Sequence, residues 1–248
     1  MNSNFYVFKQ DAVLSKGFHG TIYETDLSKE SADYRLFHVL WKEVVEDQCY
    51  LRHDFDVDVG DIVVDIGANV GMFSRYALTR GASIVHGIEP HPTAFNCLVL
   101  NNGSYVNFRP HKLAIAYNDG FIDLHVGGCY HEDYYFMADI LSSLNNSSFS
   151  YTESTITKSM DTLFECGLFD RIDFLKIDIE GAEIQLFEGI SDENLKKVNK
   201  ISVEYHPQFL LDGVEQLKER LNVSFETVYN TPNTGGIELY NYRRRCYG

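Results

Sequence analysis

The chain has 248 residues, 44% hydrophobic and 23% charged, which suits one large core or two small ones and excludes a disordered chain. Five prolines and 18 glycines exclude collagen-like or linker-dominated sequence. With 21 basic against 36 acidic residues the formal net charge is -15, and a surface of that sign repels phosphate backbones and anionic lipid headgroups. Neither nucleic acid nor a membrane is the expected partner.

Cys49, Cys97, Cys129, Cys166 and Cys246 are scattered and form no C-x-x-C pair. Their odd count and wide spacing argue against a disulfide framework and against a zinc site. No run of about 18 apolar residues is present. The start, Met1 to Phe5, lacks the basic and apolar regions of a secretory signal. The sequons at Asn102, Asn145, Asn146 and Asn222 then read as chance matches, and a reducing cytoplasm is the expected compartment.

The first 55 residues show no strand rhythm and read as a helical or irregular extension. Within them, Tyr34 to Tyr50 fits an amphipathic helix with Leu36, Val39, Leu40 and Val44 on one side. From residue 56 to 248 a single domain is expected. Asp61 to Gly67 is a short apolar strand ending in a glycine turn, and Val70 to Arg80 a helix ended by Gly81. Ser83 to Glu89 reads as a strand, and Pro92 to Asn101 as a helix with proline in its first turn. Further strands are expected near Val106–Ala116 and Phe121–Val126. Gly127 to Ser150, rich in Tyr, Asn and Ser, reads as an insertion or mobile loop.

Order returns with a short helix at Asp161–Cys166 and strands at Ile172–Ile179 and Ile201–His206. Helices are expected at Ala182–Gly189 and Val214–Leu221. Phe225–Tyr229 and Ile237–Tyr242 flank Pro232-Asn-Thr-Gly-Gly236, which suggests a closing antiparallel hairpin. The alternation predicts a doubly wound α/β domain, its mostly parallel sheet covered on both faces.

Two patterns carry chemistry. The first is Asp65-Ile-Gly67-Ala68-Asn69-Val-Gly71, between a strand and a helix, followed by Glu89 at the end of the next strand. Glycines there permit a sharp turn and close approach of a ligand, and helix-start N–H groups favour an anionic or carbonyl group. The downstream acid suits the two hydroxyls of a ribose. A dinucleotide loop requires G-x-G-x-x-G, which is absent. The spacing D-x-G-x-N-x-G instead resembles the S-adenosylmethionine loop of methyltransferases.

The second is the alternation Lys176, Asp178, Glu180 against Leu175, Ile177, Ile179, repeated by Glu204 and His206 on the next strand. Ligands bind beyond the carboxyl ends of such strands, where Asp178, Glu180, Glu204 and His206 fall. Together they suit deprotonation of a hydroxyl; a divalent metal is possible there but not predicted. Lys176 is expected to pair internally with an acid. His131-Glu-Asp133 reads as solvated, Tyr130, Tyr134, Tyr135 and Phe136 as a sugar-facing or loop-anchoring cluster, and Arg243–Arg245 as a solvated tail.

At these residues the sequence resembles the FkbM family of S-adenosylmethionine-dependent methyltransferases. The matching words are Asp65–Gly71, Glu89-Pro-His-Pro92 with Asn101, and Phe174-Leu-Lys-Ile-Asp-Ile-Glu-Gly-Ala-Glu183. The resemblance runs from about Gly60 to His206. It implies a Rossmann-like class I methyltransferase fold and O-methylation of a saccharide or natural product. By position it implies that Asp65, Gly67, Ala68, Asn69 and Gly71 hold the methionine part of the cofactor, Glu89 the ribose, and Asn118 or Asp119 the adenine. Asp178, Glu180, Glu204 and His206 are the candidate catalytic group. A nicotinamide-dependent oxidoreductase and a non-catalytic nucleoside-binding relative are the alternatives. Oligomeric state is not read from the sequence.

Overall fold

The computed structural model describes residues 6–10, 20–24, 42–52, 54–127, 138–139, 149–205, 213–232 and 238–245. The first described elements are an antiparallel pair, β1 (Tyr6–Gln10) and β2 (Gly20–Glu24), so the extension expected to be helical or irregular contains strands. Of the helix expected over Tyr34–Tyr50, the described part is one π-helical turn, Lys42–Glu46, followed by turns. Residues 34–41 lie outside the described residues.

The expected alternation follows: β3 (Ile62–Ile66), α1 (Met72–Arg80), β4 (Ile84–Ile88), α2 (Pro92–Asn102) and β5 (Phe108–His111). Gly81 ends α1 in left-handed backbone, φ 93°. Pro92 opens α2 behind His91, whose ring nitrogen accepts from the Ala94 N–H. Next come β6 (Ala114–Ile115), β7 (Gly120–Gly127), β8 (Ala138–Asp139), β9 (Phe149–Lys158) and α3 (Met160–Glu165). The chain continues with β10 (Ile172–Ile177), α4 (Glu183–Glu188), α5 (Asp192–Leu195), β11 (Val198–Tyr205) and α6 (Val214–Ser224). It closes with β12 (Phe225–Pro232) and β13 (Glu238–Arg244).

The main sheet has seven strands in the order β12-β13-β11-β10-β3-β4-β5. From β11 to β5 every pairing is parallel, whereas β13 runs antiparallel to both β11 and β12. The hairpin is thus present, and its second strand is inserted between its first and β11. Its connection, residues 233–237, lies outside the described residues.

Strand parity divides the interior in two. On one face Val63, Val85 and Phe174 meet α1, α2 and the segment from Val44 to Val57. On the other, Val64, Leu175, Ile177 and Val203 meet α3, α4 and α6. The rings of Phe55 and Phe73 lie 5.3 and 5.7 Å from Phe174, so the segment before β3 is locked onto the sheet. Truncating such a ring typically costs about 3–5 kcal/mol.

A second, four-stranded sheet, ordered β6-β9-β7-β8, was not expected. The strand foreseen over Val106–Ala116 is two strands, one in each sheet, separated by Lys112 and Leu113. Much of the stretch foreseen as a loop, with the His131–Asp133 and Tyr130–Phe136 groups, lies outside the described residues. Arg243–Arg245 is not a solvated tail: Arg244 donates to the Val198 and Leu195 carbonyls and Arg245 to that of Phe225. No helix among the described residues is long and apolar enough to cross a membrane.

Candidate active site

The glycine loop joins β3 to α1 and leans over the end of β4. The N–H groups of Gly67 and Ala68 both donate to the Ile88 carbonyl at 3.0 Å. Asn69 sits at φ 49°, and its N–H reaches the Glu89 carboxylate at 2.8 Å. The other carboxylate oxygen of Glu89 accepts from the His91 N–H at 2.9 Å. Burial pushes the Glu89 carboxyl up to about 7, against these two hydrogen bonds. Loop and acid therefore form one unit at the edge where nucleoside ligands bind in such folds.

The loop glycines answer to the protein's own chain. A Cβ on Gly67, φ 73°, would stand 1.7 Å from the Asp178 carbonyl oxygen. One on Gly71, φ 88°, would stand 2.2 Å from Asn102 Nδ2. The side-chain amides of Asn101 and Asn102 hold the Val70 and Gly71 carbonyls at 2.6 and 3.1 Å. That accounts for the asparagine closing α2 in the sequence motif.

Beneath the loop, Asp65 is fully buried and accepts from the Ser74 hydroxyl at 2.7 Å. Burial raises its carboxyl above the usual range, opposed by Lys176 and Ser74. Parallel register sets Lys176 beside Asp65. The Lys176 ammonium lies 3.5 Å from Asp65 and 3.4 Å from Asp178. It is paired internally with acids, as expected.

Asp178 lies just beyond β10, and Glu204 near the end of β11. Parity turns both to the same face, where the Tyr50 hydroxyl meets Asp178 at 2.9 Å and Glu204 at 3.2 Å. Tyr50 is itself buried, its ring edge-on to Phe73 and under the Lys176 ammonium at 5.0 Å. The strand alternation does not extend to Glu180, which stands in left-handed backbone at φ 52°. His206 lies outside the described residues. Among the described residues, no three His, Cys, Asp or Glu side chains gather as metal ligands.

Asn118 and Asp119 are exposed in the turn before β7. Asp119 is bound to β9 and the start of α3, accepting from Lys158 Nζ at 2.7 Å and the Ser159 N–H at 2.9 Å. The Asn118 carbonyl accepts from the Thr157 hydroxyl at 3.0 Å. Tyr50 is the site residue that sequence reasoning missed. It precedes β3 by a dozen residues, at the end of the stretch read as an amphipathic helix, whose periodicity says nothing of a partner so far along the chain.

A central strand flanked by parallel neighbours, a glycine loop at its end and an acid ending the next strand define a Rossmann-like fold of the class I methyltransferase type. The chain belongs to the FkbM methyltransferase family, whose description, "Methyltransferase FkbM domain", matches residues 65–227. It is 28% identical over 193 residues to the 31-O-demethyl-FK506 methyltransferase FkbM of Streptomyces tacrolimicus, covering 67% of this chain and 74% of that one. It is also 24% identical over 178 residues to the hexuronic acid methyltransferase AglP of Haloferax volcanii, covering 69% of this chain and 66% of the relative. Among solved structures, methyltransferase FkbM from Methylobacillus flagellatus KT superposes with a TM-score of 0.51 at 16% identity. That match covers 78% of this chain and 47% of the other, and it shows the shared fold.

Proposed function

We propose that this protein transfers a methyl group from S-adenosylmethionine to a hydroxyl of a saccharide or natural-product acceptor. The observation that carries the reading is the carboxylate pair Asp178 and Glu204, joined through Tyr50 and linked by Lys176 to the glycine loop. The cofactor fits the residues present: Glu89 is a buried acid at the loop, suited to ribose hydroxyls, and the adjoining glycine loop is assigned the amino-acid end. Gly67, Ala68, Asn69 and Gly71 shape that cradle, with Asp65 supporting it from below. Asn118 is the better adenine candidate, since Lys158 and Ser159 already engage Asp119.

When bound, the sulfonium supplies an activated methyl group, leaving the protein to orient and deprotonate the acceptor. The Asp178 carboxylate takes the acceptor's hydroxyl proton as the oxygen attacks, and Glu204 holds the neighbouring position. His206 and Glu180 are the other members of the candidate catalytic group. An acceptor without phosphate groups suits the acid excess, and the names of the two relatives point to hydroxylated molecules.

Titration calorimetry with S-adenosylhomocysteine and with NAD tests the cofactor class. Binding of S-adenosylhomocysteine alone is expected. Binding of NAD instead would favour a dehydrogenase and overturn the reading.

A further inference from the structure

The Tyr50 hydroxyl has one hydrogen and two carboxylate neighbours, Asp178 at 2.9 Å and Glu204 at 3.2 Å. Two acids that meet on one hydroxyl titrate as a pair, and a donor shared between them favours ionisation of the nearer. The nearer is Asp178, which also has the Lys176 ammonium at 3.4 Å. Tyr50 is held for this task by its ring: buried, edge-on to Phe73 at 5.8 Å, and beneath Lys176. The hydroxyl is not needed for that packing, so a phenylalanine fills the same space.

We propose that Tyr50 is a positioning residue for methyl transfer, its hydroxyl joining Asp178 to Glu204 and keeping Asp178 ionised to receive the acceptor's proton. The proposal rests on the function proposed above, and it adds a residue from the segment that precedes the family's matching region. Tyr50 acts through Asp178 and donates nothing to the acceptor. Loss of the hydroxyl takes a donor from an ionised carboxylate and leaves two acids facing each other. Both effects raise the pH at which Asp178 gains its proton.

The test compares wild type, Tyr50→Phe and Glu204→Gln, with carbon-13 NMR titration of labelled aspartate carboxyls in the free protein, the Asp178 signal assigned through Asp178→Asn. Tyr50→Phe should move the Asp178 midpoint up by about 1–2 pH units, the equivalent of one hydrogen bond to a charged group. Glu204→Gln should move it down, because a like charge beside Asp178 is lost. In turnover assays the acidic limb of the pH profile should shift in the same two directions, while affinity for S-adenosylhomocysteine holds. An unmoved Asp178 midpoint in Tyr50→Phe would overturn the proposal, and altered melting temperature alone would mark Tyr50 as packing. The NMR measurement needs no acceptor. Shifted midpoints in the two variants, together with a wild type that methylates no hydroxyl, would therefore refute the functional reading while leaving the Tyr50–Asp178 linkage standing.

Discussion

Lys176 donates to the carbonyl of Gly67 at 2.9 Å, tying the first residue after β3 to the strand that leads into Asp178. The same ammonium faces Asp65 below and Asp178 beside it. A single buried cation thus sets the spacing between the expected cofactor loop and the expected base. Both Lys176 and Asp65 are essentially inaccessible to water, at 5% and 0% side-chain exposure, so neither charge survives well alone.

Lys176→Met should therefore destabilise the fold by about 3–5 kcal/mol, the usual result of removing one partner of a buried pair. Adding Asp65→Asn should recover part of that loss, because the stranded charge is gone. Chemical denaturation of the single and double variants measures both. Equal stability of the two would show that Asp65 does not depend on Lys176.

Gly67→Ala should be far more damaging than Gly167→Ala, although both glycines have φ above 70°. At Gly67 the new methyl meets a backbone oxygen that cannot step aside; at Gly167 nothing lies within 4 Å. The strain of left-handed backbone alone is about 1–2 kcal/mol, and overpacking adds about 1–3 kcal/mol at Gly67. Thermal melts of the two variants should separate clearly. Matching melting temperatures would contradict the close contact with Asp178.

On the proposed reading, Glu89, raised to about 7 by burial, couples cofactor binding to pH. Ribose hydroxyls donate to the ionised form, so binding should release a proton below pH 7 and none well above it. Affinity for S-adenosylhomocysteine should rise up to about pH 7 and then level off. For the free protein the direction reverses: stability from the neutral carboxyl is full below about 4.5 and is lost as pH rises through about 7. Calorimetry in buffers of different ionisation enthalpy reads the proton release. Zero release at pH 6 would place Glu89 outside the cofactor site.

His86, His91 and His111 define an acid-side weakness. Burial lowers His86 to about 4 and His91 to about 3, and it lowers His111 as well. The His86 and His111 rings stack, with facing nitrogens 3.0 Å apart. Their contribution is present above the unfolded value near 6.5 and is lost as pH falls towards 4. His91→Asn keeps a good helix cap and removes one titration, so it should flatten part of the acid slope with little loss at pH 8. An unchanged slope would exclude His91 from that transition.

What the sequence disclosed and what it concealed follow from the range of each interaction. Asp65–Gly71, Gly81 and Pro92 act within a turn or two of themselves, so their spacing sufficed. The alternation around Asp178 worked because strand parity is strict, and it failed at Glu180 where the backbone leaves the strand. β9 was hidden because its inward side carries Thr155 and Thr157 while Ile156 faces outward, reversing the usual apolar pattern. Tyr50 was hidden because its partners lie 128 and 154 residues away. The glycines were recognised, but only the fold shows that Asp178 and Asn102 are what they make room for.

The most direct test of hydroxyl methylation with Asp178 as base is a paired measurement on wild type and Asp178→Asn. Turnover is followed with isotopically labelled S-adenosylmethionine and a panel of saccharides, hydroxylated natural products, RNA and DNA, while calorimetry reads affinity for S-adenosylhomocysteine. The expected result is a methyl ether on a hydroxylated acceptor in wild type. In Asp178→Asn, turnover should fall about 10²–10⁴-fold with affinity for S-adenosylhomocysteine retained. Label appearing only in RNA or DNA, or full turnover in Asp178→Asn, would contradict the account.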